Sequence, residues 1–267
     1  MRKRSGFTLV ELLVVIGIIA LLISILLPSL GRARQSAKLV ACQSNFRQAF
    51  SALMFYANDN KGFLPTAADP GRDWGVSGTN PHVYVIITQY LGKREVDLAA
   101  GPLSAVLRCT EALDPDLAGW AWSPGLARTL AFHPRAFPGA DQITSPPSTE
   151  YPQRKLASIK NASEKVAMWD GHQALNWNMT TPPTKICLDG WQWNWGRRYT
   201  DPPSNGDYTN WDRPVNNGGA NRDGAYWEGA IRARHMGNTM TPVAFFDGHV
   251  ESRRLAQIRT RDVMINR

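Results

Sequence analysis

The sequence predicts an α+β protein: a long N-terminal helix, transmembrane in its proximal half and amphipathic in its distal half, packed on an antiparallel β-rich, loop-rich C-terminal head. Three observations predict it. Residues 7–27 form an apolar run with one ionisable side chain, Glu11. Residues 29–60 then keep helical periodicity with no proline and only Gly31 as a glycine. Beyond Gly62 the chain breaks into short apolar runs separated by Gly, Pro, Asn and Asp, the punctuation of strands and turns.

The proximal segment comes first. As a helix, residues 7–27 would rise roughly 31 Å, enough for a hydrocarbon core of about 30 Å. A carboxylate inside such a segment costs a few kcal/mol on insertion scales, so it usually has a partner and a role. Arg2, Lys3 and Arg4 precede the run and should stay in the cytoplasm by the positive-inside rule, which places the C-terminal bulk across the membrane. A cleaved secretory signal has a shorter apolar region and a small-residue cleavage site, and Pro28-Ser29-Leu30-Gly31 is a poor one. A plain signal anchor fits the length but gives Glu11 nothing to do.

The stretch Gly6-Phe7-Thr8-Leu9-Val10-Glu11-Leu12-Leu13-Val14-Val15-Ile16 resembles the processing and methylation signature of type IV pilins and type II secretion pseudopilins. That resemblance implies that a prepilin peptidase cuts between Gly6 and Phe7 and methylates the new Phe7 amine. It implies that Glu11 serves assembly and that Pro28 kinks the helix. It also implies other pilin or pseudopilin subunits and an inner-membrane assembly platform as partners, with the lipid bilayer as host. The chemistry is intelligible in its own right. In lipid, Glu11 of one chain can neutralise the amine of its neighbour, while an unassembled Glu11 must protonate, admit water or pair with its own amine. The expected divisions are a leader over 1–6, a transmembrane part over 7–27, a distal helix over 28–62 and an extracytoplasmic head over 63–267. The expected location is the inner membrane in a single pass, with the N-terminus cytoplasmic and the head periplasmic, then the filament.

In the distal helix, Leu39, Phe46, Phe50, Leu53 and Ala57 recur at helical spacing and trace one face. Asn58-Asp59-Asn60-Lys61-Gly62 should end it, with Gly62 suited to a left-handed cap. The stretch Ala41-Cys42-Gln43-Ser44-Asn45-Phe46-Arg47-Gln48 is similar to a subgroup of large bacterial pilin-like proteins. In the head, residues 83–90 read as a strand or a short helix, and residues 165–169 and 242–246 read as strands. Each of the latter two is followed by Asp-Gly-His, at Asp170-Gly171-His172 and Asp247-Gly248-His249, where Asp-Gly signals a two-residue hairpin with positive φ at both central positions. Residues 134–152 and 202–229 read as surface loops. His235 with Asp247-Gly248 resembles the His-x9-Asp-Gly unit of the same large subgroup, although eleven residues separate the pair here.

Composition limits the function classes. A hydrophobic share of 43% with ten Trp excludes a disordered tail. The formal charge of +8 falls to +5 without Arg2, Lys3 and Arg4, and the remaining bases are dispersed, with no base-reading motif, so no specific nucleic acid is expected. His235, Asp247 and His249, joined by Asp170 and His172 if the hairpins pack together, are ligand types for a structural Ca²⁺ or Zn²⁺. Turn formation explains Asp247 and Gly248 without any cofactor, and no nucleophile triad or phosphate-binding loop marks an enzyme. Of the three cysteines, Cys109 and Cys187 are the preferred disulfide, with Cys42 a buried small hydrophobe. Trp191, Trp193 and Trp195 alternate and would share one strand face, as core or as a platform for sugar rings. The functional expectation is a pilus or pseudopilus structural subunit. Its rival is a membrane-anchored domain that binds polysaccharide or metal and never polymerises.

Overall fold

Residues 8–65, 83–92, 104–112, 129–133, 136–137, 154–171 and 231–263 are described by the structure, a computed structural model. Helix α1 (Leu9–Asp59) is one 51-residue element. It starts at Thr8, whose extended backbone (φ −82°, ψ 148°) suits an N-cap. Thr8 Oγ1 accepts a hydrogen bond from the Glu11 N–H at 3.3 Å, and Glu11 Oε2 accepts one from the Thr8 N–H at 2.9 Å. Two N–H groups that a helix end leaves unpaired are thereby satisfied. The other end closes as the sequence predicts. Lys61 and Gly62 are left-handed (φ 56° and 84°), and the Gly62 N–H donates to the Ala57 carbonyl at 2.7 Å. Between the ends, the helix passes through Pro28 without terminating.

The two halves of α1 live in different surroundings. Residues 8–37 are exposed along their whole length. From Cys42 onward one face is buried by Cys42, Phe46, Ala49, Phe50, Leu53 and Ala57. Four of these six are the residues whose spacing predicts that face, while Leu39 is only half-buried. Helix α2 (Val83–Tyr90) settles the ambiguity of residues 83–90 in favour of a helix. It packs on α1 through Val83 and Ile87, and Tyr90 Oη donates to Asp59 Oδ2 at 2.9 Å.

Four strands make one antiparallel sheet in the order β1 (Leu130–Phe132), β2 (Val166–Asp170), β3 (Met240–Phe245) and β4 (Val250–Arg254). Strands β2 and β3 are the two that the apolar runs predict, and a bulge between Val166 and Met168 shifts their register. β2 is buried at every position because both faces of the sheet are covered. One side joins the α1 core of Phe46, Phe50, Leu53, Phe137 and Phe246. The other holds Trp169, Ile231, Val243, Phe245 and Ile258. Pro242 has no N–H to donate, and it pairs only with Ser252 of β4, one step past the last β2–β3 pair.

Both Asp-Gly readings need correction. The β3–β4 hairpin exists, but its turn is longer than two residues. The Gly248 N–H donates to the Phe245 carbonyl, the Phe245 N–H to the His249 carbonyl, and only Gly248 has positive φ (95°). The side chain of Asp247 accepts from the His249 N–H at 3.1 Å, so the aspartate shapes the turn without adopting left-handed backbone itself. Asp170-Gly171 makes no hairpin. The Gly171 N–H continues the ladder to the Thr129 carbonyl at 2.7 Å, and Asp170 is fully buried.

Candidate functional site

The exposed start of α1 is the first candidate site. Its large apolar side chains from Leu9 to Leu30 keep 46–75% of their surface, so nothing among the described residues covers them. One helix among the described residues is long and apolar enough to cross a membrane, and it is this one. Glu11 lies one turn inside it. Its carboxylate accepts from both the backbone N–H and the hydroxyl of Thr8, the latter at 2.7 Å. That is a fourth resting state for the acid, beyond protonation, water and its own amine. The Thr8-x-x-Glu11 spacing of a capping box could have disclosed it. Gly6 and Phe7 lie outside the described residues.

The second candidate group divides. Asp247 and His249 form an exposed pair at the hairpin, His249 Nδ1 lying 2.6 Å from Asp247 Oδ1 while the imidazole stacks on Phe245 at 4.1 Å between centroids. His235 does not join them. It is buried against α1, with Nε2 3.2 Å from the Cys109 sulfur. The candidate ligands His235, Asp247 and His249 are therefore not brought together, because the hairpin turn carries the last two to the surface. Asp170 is also taken: its carboxylate pairs with the Arg234 guanidinium at 3.2 Å, both side chains almost without solvent contact. His172 lies outside the described residues.

A different cluster appears instead. Cys42 of α1, Cys109 beyond the turn Ala105–Leu107, and His235 are all buried, and their ligand atoms lie within 4.8 Å of one another. Burial lowers the His235 pKa to about 4, so its imidazole is neutral. Contact with the Cys42 thiol, then burial, raises the Cys109 thiol far above its ordinary range. Among the described residues Cys109 is a free thiol, its sulfur within hydrogen-bond distance of His235, and the expected bridge to Cys187 falls on a residue outside them. Cys187, like Trp191, Trp193 and Trp195, lies outside the described residues. Nothing in the local sequence marks Cys42 and Cys109 as ligands. The cysteines stand far apart in the chain and show none of the short spacings that mark metal sites.

Comparison with known proteins agrees with the geometry of the N-terminus. Residues 1–27 match the model of the prokaryotic N-terminal methylation motif, so the chain carries a prepilin-type, pilin-like N-terminal segment. Over 68 residues it is 38% identical to the type IV wide pilus major component PilA4 of Thermus thermophilus. That alignment covers 26% of this chain and 52% of the relative, so the chain spans about half the length of the curated protein it matches. No solved structure matches the chain.

Proposed function

We propose that this chain is a prepilin-like structural subunit, cut between Gly6 and Phe7 by a prepilin peptidase, methylated on Phe7 and assembled with other pilin or pseudopilin subunits into a type IV pilus or secretion pseudopilus. Before assembly it is held in the inner membrane by α1 with its head on the extracytoplasmic side. The observation that carries the reading is the uncovered apolar half of α1 with one acid near its start. A surface of that kind needs lipid or neighbouring helices around it. Glu11 rests on Thr8 while the subunit is alone, and on assembly it exchanges that cap for the Phe7 ammonium of an adjacent subunit. The exchange gives up two hydrogen bonds from Thr8 to Glu11 Oε2 for a pairing of opposite charges, which is the stronger interaction in lipid.

Mass spectrometry of the mature N-terminus tests the processing step. A methylated Phe7 is expected, and an intact Met1 in membrane-extracted protein would remove the reading. Glu11 variants test the assembly step. Glutamine retains the capping-box chemistry of glutamate but has no charge. If charge pairing sets subunit register, Glu11→Gln and Glu11→Ala both stop incorporation into filaments. If Glu11→Gln assembles as well as the unsubstituted chain, the helix cap alone is the role of this residue and the charge exchange is wrong.

A further inference from the structure

We propose that Cys42, Cys109 and His235 form a structural Zn²⁺ site that fastens the distal half of α1 to the head. The three residues arrive from distant parts of the chain, and folding brings their ligand atoms within 4.8 Å of one another. In a tetrahedral zinc centre with Zn–S near 2.3 Å and Zn–N near 2.0–2.1 Å, a sulfur and a nitrogen ligand lie about 3.6 Å apart. The 3.2 Å between Cys109 Sγ and His235 Nε2 is within a few tenths of that. A shift of a few tenths of an ångström brings that pair to the zinc distance, and the remaining ligand atoms lie within 4.8 Å.

The polar surroundings also favour an ion over simple packing. His235 is 1% exposed, and its Nδ1 has no hydrogen-bond partner among the described residues. Its other nitrogen meets only a thiol, a poor hydrogen-bond partner for an imidazole. A buried imidazole so weakly compensated is costly, and ligation of Nε2 replaces the weak thiol contact with a metal bond, while Nδ1 carries the ring proton. The Glu111 N–H points at the Cys109 sulfur at 3.4 Å, and such a donor relieves negative charge on a metal-bound thiolate. Zinc binding exchanges the two thiol protons for one dication: two thiols and Zn²⁺ give two thiolates on zinc and two protons released to solvent. The ligated centre is then neutral overall, as a buried centre should be. Two sulfurs and an imidazole select zinc over calcium or magnesium, which prefer oxygen. Among the described residues three side chains reach the site and the Asp170 carboxylate is committed to Arg234, which leaves the fourth position open to water or another donor.

The site bridges three pieces of the subunit. Cys42 opens the buried face of α1, and Cys109 belongs to the segment that also bonds α1 through the Arg108 carbonyl to Asn45 and through Thr110 to the Lys38 carbonyl. His235 starts the turn His235–Asn238, where Met236 and Gly237 are left-handed. A metal there would staple the membrane-side base of the head to the helix.

The test uses the full chain purified in detergent under reducing conditions and loaded with Zn²⁺ or Co²⁺. About one zinc per chain is expected after dialysis. The Co²⁺ form should show a sulfur-to-cobalt charge-transfer band and the intense ligand-field absorption of a tetrahedral site. Cys42→Ser and His235→Gln should each abolish tight zinc retention, and His235→Cys should restore it with a shifted cobalt spectrum. A thiol-directed mercurial should release zinc from the unsubstituted chain, a readout that does not depend on any variant folding. Absence of the sulfur-to-cobalt band in the unsubstituted chain would overturn the proposal. So would a band that survives Cys42→Ser unchanged, or a Cys42–Cys109 disulfide in the chain taken from its native membrane. The site concerns the head, so its failure leaves the filament assignment untouched.

Discussion

Gly248 shows what one residue decides. Its φ of 95° is open to glycine and strained for a side chain, and a Cβ there would meet the Phe50 ring at 3.4 Å, an ordinary contact distance. Strain therefore outweighs crowding. Gly248→Ala should destabilise the head by about 1–3 kcal/mol, read as a lower denaturation midpoint with an unchanged slope. Gly248→Asn should cost less, since asparagine enters left-handed backbone more readily. If alanine is the better tolerated of the two, contact with Phe50 governs the position instead. The glycine was legible in the sequence as a turn former. Its contact with Phe50 was not, because the two residues meet only when the hairpin lies against α1. Glu11 was legible as an acid in an apolar run, and its hold on Thr8 was equally available from their spacing.

Elements were legible in proportion to their length and pattern. α1 is long and periodic, so both its ends and its buried face could be read from residue types. β2 and β3 announce themselves by apolar runs flanked by turn residues. The three residues of β1 hold no periodicity, and their state is set by pairing with β2. The segment 231–234 is likewise held from outside. The Arg232 N–H donates to the Asp170 carbonyl at 2.7 Å, and Arg234 pairs with the Asp170 carboxylate and donates to the Gly171 carbonyl. This buried ion pair ties the segment to the end of β2. Asp170→Asn leaves a buried guanidinium without its counter-charge, and should cost about 3–5 kcal/mol. The paired change Asp170→Leu with Arg234→Met should cost less than the two single losses added together. Additive losses in that double-mutant cycle would mean that the two side chains act independently.

At the scale of the whole molecule, the proximal half of α1 and the head divide cleanly along the chain. The described hydrogen bonds from α1 to the head begin at Ser36, and burial begins a few residues later. A chain starting at Ser36 keeps all of them and discards the uncovered apolar half. It should be soluble without detergent and retain the far-UV and near-UV circular dichroism of a packed head, whereas the full chain requires detergent or lipid. Loss of the near-UV signal on truncation would show that the proximal half of α1 takes part in folding the head.

Residue types in order were sufficient for the long helix, its two-part character, the acid at its start and the two central strands. Each of those depends on neighbours within a few turns of chain, where periodicity and composition act directly. Tertiary structure alone decided which side chains share a place. It buried Asp170 against Arg234 and brought Cys42, Cys109 and His235 together in the core. Those encounters join residues tens to hundreds of positions apart, and no local pattern encodes a meeting that only the packing of α1 on the head creates.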